Sequence, residues 1–331
     1  MTDGRMLRRG SAVEGGFSYA GAVAALLLVS VVAGLIPAAT DFARDMVSYI
    51  ATVLLQACFL LAAVIPYRST RSCPKYRLGG AGVKACLAAP AVAAVSLVAF
   101  YGLAISFGFF LTAIGYTPSS SSDMTTPYGI AFTVATTIFI APLCEEMLFR
   151  GSHLSSLGVM FGRAEEKKRL ILMLCVCGLT FAFIHTRPEQ TVYQFFFGAT
   201  LAFLTIRTGS ILPAVIAHAF NNAVGVVLEI PVISAGVDSA VASAGGVWYG
   251  VLIFVIVSIA LCVGGIFALR AIINGLGKGT PHESFKDADR DSGFVNYADD
   301  GGTVAGGVFC VLSFAVCAAL WIASLVSGML A

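Results

Sequence analysis

The run Pro142-Leu143-Cys144-Glu145-Glu146-Met147-Leu148-Phe149-Arg150 sets two adjacent carboxylates and an arginine inside an otherwise apolar stretch. A charge at bilayer depth costs about 3 kcal/mol or more, so intramembrane charges are paired or functional. On a helix Glu146 and Arg150 stand four residues apart on one face, in the Glu-first order that favours an ion pair. Glu145 points about 100° away and lacks that partner. One carboxylate is then a structural partner and the other is free to accept a proton. The competing reading is two carboxylates at a helix end reaching interfacial water.

Two more polar pairs recur at helical spacing on apolar segments. Phe181 and His185 are four residues apart, as are His218 and Asn222, so each pair presents one face. A single histidine of this kind is more often a satisfied interhelical hydrogen-bond partner than a catalyst. Of the four histidines in the chain, two are expected in spans together with both glutamates. That coincidence points to a site. Glu146 lies 19 residues before Glu165 in the charged loop and His185 lies 20 after it, so an antiparallel hairpin brings them to one level. His218, only eight residues beyond Ser210, is shallower by the same count and needs a bend or cavity to join them.

The elements that must hold these groups are membrane helices. The 331 residues are 58% hydrophobic and 11% charged, against roughly 25% charged for a soluble domain. The chain is therefore expected to be all-α, a polytopic transmembrane helix bundle with about nine spans. Their approximate limits are 17–37, 46–65, 85–114, 129 to the charged loop at 163–169, 170–185, 191–206, 210–230, 247–272 and 304–330. The first run is read as an uncleaved helix rather than a signal peptide. With the N-terminus cytoplasmic, seventeen Lys and Arg residues fall inside, Arg44 and Arg187 fall outside, and Arg150 lies within a span. The C-terminus is then outside. Residues 1–127 are read as N-terminal helices and loops, 128–230 as the core carrying the polar groups, and 231–331 as C-terminal helices around a cytoplasmic loop at 273–303. The short fifth and sixth segments are the pair most open to a re-entrant arrangement.

Taken together, Glu145-Glu146-x-x-x-Arg150, Phe181-x-x-x-His185 and His218-x-x-x-Asn222 resemble the three ordered motifs of the CPBP intramembrane proteases. That family includes type II CAAX prenyl endopeptidases, bacteriocin-processing enzymes and Abi-type proteins. The resemblance covers roughly residues 129–230. It implies that Glu145 activates a water, that His185 holds and polarises it, that His218 and Asn222 stabilise the oxyanion, and that Glu146 with Arg150 buttresses the site. The implied substrate is a membrane-associated or lipid-modified peptide or protein, in contact with membrane lipids. The chain is expected to be a multi-pass plasma-membrane protein.

The same atoms allow a metalloprotease, with Glu145, His185 and His218 as zinc ligands. Against zinc, no His-Glu-x-x-His signature is present. The expectation is glutamate chemistry with no required cofactor. Two other classes bury such groups: a non-catalytic membrane partner or immunity protein of the same fold, and a proton-coupled transporter. The transporter would be expected to show repeat halves, and none is visible. No basic run suggests nucleic acid. The stretch from Asp287 to Gly293 imitates a calcium loop, but Ser292 and Ala298 stand where glycine and glutamate belong, so it is read as a solvated loop.

Overall fold

The computed structural model describes residues 8–9, 11–117, 126–229, 248–276 and 300–330. Outside these fall Arg5, the serine-rich segment after Thr117, residues 231–246 and most of loop 273–303, including the calcium-loop imitation. The described residues form an all-α bundle of nine long helices, apart from a two-residue parallel pairing of β1 (Arg8–Arg9) with β2 (Ser72–Cys73).

Six helices are long and apolar enough to cross a membrane: α1 (Ala12–Leu35), α2 (Asp41–Ser69), α3 (Val83–Ala113), α4 (Pro127–Met160), α8 (Trp248–Leu276) and α9 (Asp300–Leu330). The other three, α5 (Glu166–Ile184), α6 (Thr191–Thr208) and α7 (Leu212–Leu228), are 19, 18 and 17 residues long. At 1.5 Å per residue they reach about 26–29 Å, just short of a hydrocarbon core of about 30 Å. The nine expected segments are thus all helical, and three of them make a shorter inner set.

Local chemistry sets the ends. Ser11 and Glu14 form a capping box at α1, and the Thr40 and Thr126 hydroxyls accept from Ala43 N at 3.1 Å and Gly129 N at 3.1 Å. Gly209 takes φ +71° behind α6, a left-handed cap that a side chain would resist. α4 is not uniform. Its segments Val134–Ile140 and Met147–His153 are π-helical and flank the α-helical Ala141–Glu146. Such wide turns re-phase the side chains that follow and are frequent at functional sites.

Close crossings hold the bundle together. A Cβ on Gly16 would come within 2.7 Å of the Gly306 carbonyl where α1 meets α9. One on Gly178 would meet the Phe195 carbonyl at 2.7 Å where α5 meets α6. Small residues let backbones approach where lipid offers no hydrophobic drive to association. One apolar cluster gathers Phe100, Phe197, Leu201 and Ile273 from α3, α6 and α8, and another gathers Tyr19, Phe59, Leu148, Phe149 and Phe181 from α1, α2, α4 and α5. From α4, Arg150 reaches the Gly198 carbonyl of α6 and Glu146 reaches His218 of α7.

Candidate active site

The two glutamates part company as their helical phases require. Glu146 and Arg150 are both completely buried, with Arg150 Nη1 donating to Glu146 Oε1 at 2.8 Å. Arg150 Nη2 donates to the Gly198 carbonyl at 3.0 Å, and the guanidinium lies 4.4 Å from the centre of the Phe181 ring. Gly198 supplies that carbonyl because α6 runs against α5: a Cβ there would already touch Phe181 Cδ1 at 3.0 Å. Sequence reasoning overlooked both Gly178 and Gly198.

Glu145 faces the other way. Its Oε2 lies 3.9 Å from His185 Nε2 and 4.0 Å from His218 Nε2, and the side chains of Glu145 and His185 keep 10% and 22% exposure. Both separations exceed a direct hydrogen bond and suit a group bridged through one water. The far nitrogens fix the tautomers. His185 Nδ1 lies 2.7 Å from the Phe181 carbonyl, which can only accept, so this nitrogen donates. His218 Nδ1 lies 2.8 Å from Glu146 Oε1, which already accepts from Arg150, so it too donates. In their neutral forms both rings therefore turn an Nε2 lone pair toward Glu145. Phe181 packs edge-on to both, with centroid distances of 4.9 Å to His185 and 5.7 Å to His218.

His218 joins the cluster although counting from the loops made it shallow. The physical reason is that the α6–α7 turn is itself buried, with Ser210 and Ile211 almost inaccessible. The loop between α2 and α3 roofs it: Ile211 N donates to the Arg77 carbonyl at 3.0 Å, and Ser210 Oγ donates to the Arg77 and Leu78 carbonyls at 3.1 Å each. The start of α7 is therefore buried beneath this loop, and a residue count from it does not measure depth.

Immediately beyond His185 the chain turns, with Thr186 at φ +52°, a left-handed conformation uncommon for a β-branched residue. The turn is tied down by Arg187 Nε and Tyr116 Oη, which donate to the two Glu189 oxygens at 2.7 and 2.6 Å. Partial burial and the acidic partner push the Tyr116 phenol up to about 12.

Asn222 is tied to the backbone of α4. Its Nδ2 donates to the Thr137 carbonyl at 2.8 Å, on the first π-helical turn of α4, so one of its two amide hydrogens is committed to backbone. Asn221 Nδ2 donates to Asn222 Oδ1 at 3.3 Å, and Tyr193 Oη donates to Asn221 Oδ1. The structure thus brings Glu145, Glu146, Arg150, His185 and His218 together, with Asn222 bound alongside to the helix that carries the glutamates.

Two side chains in spans escaped the sequence reading. Gln56 of α2 donates from Nε2 to Glu145 Oε1 at 3.1 Å. A lone glutamine in the apolar second segment was the available signal. His153 also lies within α4, a third histidine of the bundle, but it sits apart, its ring 5.0 Å from that of Tyr19.

Residues 127–224 match the family model described as "Rce1-like: Type II CAAX prenyl endopeptidase Rce1-like". The chain carries an Rce1-like region. The match covers this region alone and is consistent with a likeness to the CPBP intramembrane proteases. It spans α4 to most of α7 and so includes every polar residue of the cluster except Gln56. No curated protein and no solved structure matches the chain.

Donors held by zinc at about 2.0 Å in a tetrahedron stand about 3.3 Å apart, against 3.9 and 4.0 Å here. Among the described residues, no group of three or more His, Cys, Asp or Glu has the spacing to hold an ion.

Proposed function

We propose that the protein hydrolyses a peptide bond in a membrane-associated, lipid-modified substrate, with Glu145 as the general base toward a water. The observation that carries this reading is the pairing of Glu145 Oε2 with two imidazole Nε2 atoms at 3.9 and 4.0 Å, while the neighbouring Glu146 is locked to Arg150. A water between these three atoms gives one proton to Glu145 as its oxygen bonds to the scissile carbonyl carbon. His185 Nε2 accepts the water's second hydrogen and aims its lone pair. The carbonyl π bond breaks onto oxygen, and the tetrahedral intermediate collapses as the C–N bond breaks and Glu145 passes its proton to the departing amine.

Charge counting supports a second role. With both carboxylates ionised and both rings neutral, Glu145, Glu146 and Arg150 sum to one negative charge. A proton on His218 brings the cluster to neutrality and turns Nε2 into a donor for the oxyanion, while Nδ1 keeps its bond to Glu146. The uncommitted amide hydrogen of Asn222 is the other proposed donor. No step requires a metal.

An open apolar cleft of about 440 Å³ lies between α2 and α4, lined by Met46, Tyr49, Ile50, Val53, Tyr128 and Phe132 among others. We assign it to the apolar part of the substrate. Basic-residue asymmetry orients the N-terminus to the cytoplasm, and the plasma membrane is the proposed location. The test is a farnesylated peptide ending in a CAAX sequence, incubated with purified, exhaustively chelated protein. The expected result is release of the C-terminal tripeptide, abolished by Glu145→Gln. Loss of activity on chelation, restored by zinc, would overturn the metal-free mechanism.

A further inference from the structure

We infer that Gln56, on a helix outside the Rce1-like region, is the positioning residue that decides which oxygen of Glu145 takes the proton. This rests on the reading of Glu145 as the general base. Gln56 is 7% exposed within an apolar helix, where a primary amide is costly unless it has a partner. Its Nε2 donates to Glu145 Oε1 at 3.1 Å across 89 residues of sequence. The opposite amide orientation would set oxygen against carboxylate oxygen. The Gln56 Oε1 atom is itself buried and meets no donor among the described residues, so the one bond that fixes this amide is the bond to Glu145.

The consequence for Glu145 follows from its two oxygens. Oε1 is occupied from the α2 side, and Oε2 faces the two imidazoles. A carboxylate with both oxygens unrestrained would rotate about its terminal torsion, which is broad and roughly two-fold. Occupying Oε1 holds the plane so that the lone pairs of Oε2 face His185 and His218. The catalytic region in α4 to α7 therefore borrows its alignment from α2.

Gln56→Met keeps the length and removes the donor, and Gln56→Asn keeps the amide but withdraws it by about one bond, roughly 1.5 Å. Both are expected to lower kcat on the farnesylated CAAX peptide by about 10–100-fold, the scale of a small misalignment, with KM little changed. An infrared difference spectrum gives the readout that a structural role would not move. The Glu145 carboxylate stretch, assigned by its disappearance in Glu145→Gln, is expected to shift in Gln56→Asn and Gln56→Met. An unchanged kcat, or a carboxylate band that stays in place, overturns the inference. Should Gln56→Met fail to fold, Gln56→Asn decides it. Cleavage surviving in Glu145→Gln would instead sink the general-base reading, whereas cleavage lost there but intact in the Gln56 variants would sink only this inference. Where no cleavage of the peptide is measurable, the band shift alone decides.

Discussion

α4 carries two buried polar clusters on successive turns, and they end their hydrogen bonds differently. Around Ser152 the groups close on one another. Ser152 Oγ donates to Ser18 Oγ at 2.6 Å, Ser18 Oγ donates to the Glu14 carbonyl at 2.8 Å, Tyr67 Oη donates to the Ser152 carbonyl at 3.0 Å, and Ser156 Oγ donates to the Ser11 carbonyl at 3.0 Å. Around Glu145 the chain of bonds stops short, leaving one carboxylate oxygen and two imidazole nitrogens turned toward each other across 3.9 and 4.0 Å. Both clusters bury polar atoms, the neutral hydroxyls at less cost than the charged groups. A closed network returns that cost as helix docking, and an open one leaves capacity to bind a reacting group.

That contrast can be broken by substitution. Outside the two glutamates, the largest effect is expected from His185→Ala, which removes the proposed acceptor of the water's hydrogen and should lower kcat by about 10²–10⁴-fold while thermal melting changes little, read by paired activity and melting assays. Next is Arg150→Met, which strands Glu146 without its cation. It should cost about 3–5 kcal/mol of stability, measured by chemical unfolding in detergent, with activity falling along with the folded fraction. Gly198→Ala forces a methyl against Phe181 and should cost about 1–3 kcal/mol, with Arg150 disturbed in turn. Ser152→Ala removes one neutral hydrogen bond from the closed network and should cost about 1 kcal/mol with kcat unchanged. The smallest effect belongs to His153→Leu. Both ring nitrogens of this fully buried residue lack a hydrogen bond among the described residues, so an apolar replacement should leave stability equal or higher and activity intact. A His153 variant that lost cleavage without unfolding would erase the distinction between the two clusters.

What the sequence made legible was what local periodicity encodes. The Glu146–Arg150 pair, the opposed direction of Glu145 and the shared face of Phe181 and His185 all follow from helical spacing, and the observed distances agree with them. Approximate helix limits followed from the apolar runs. Three features were not readable in this way. The link from His218 to Glu146 depends on a buried turn roofed by a distant loop, which no residue count reveals. The π-helical turns of α4 carry no short motif in the sequence. Asn222 spends an amide hydrogen on the Thr137 carbonyl, an acceptor that exists only once α4 has its actual geometry. Gln56 was visible as a residue but not as a partner, because one polar group in an apolar span does not name what it faces.

The division of labour between the two adjacent glutamates is the central claim, and paired measurement of kcat and thermal unfolding for Glu145→Gln and Glu146→Gln tests it most directly. The account predicts that Glu145→Gln loses at least about 10³-fold in kcat with its melting nearly unchanged, and that Glu146→Gln lowers both stability and activity. Substantial activity in Glu145→Gln, or a stable and fully active Glu146→Gln, would contradict it.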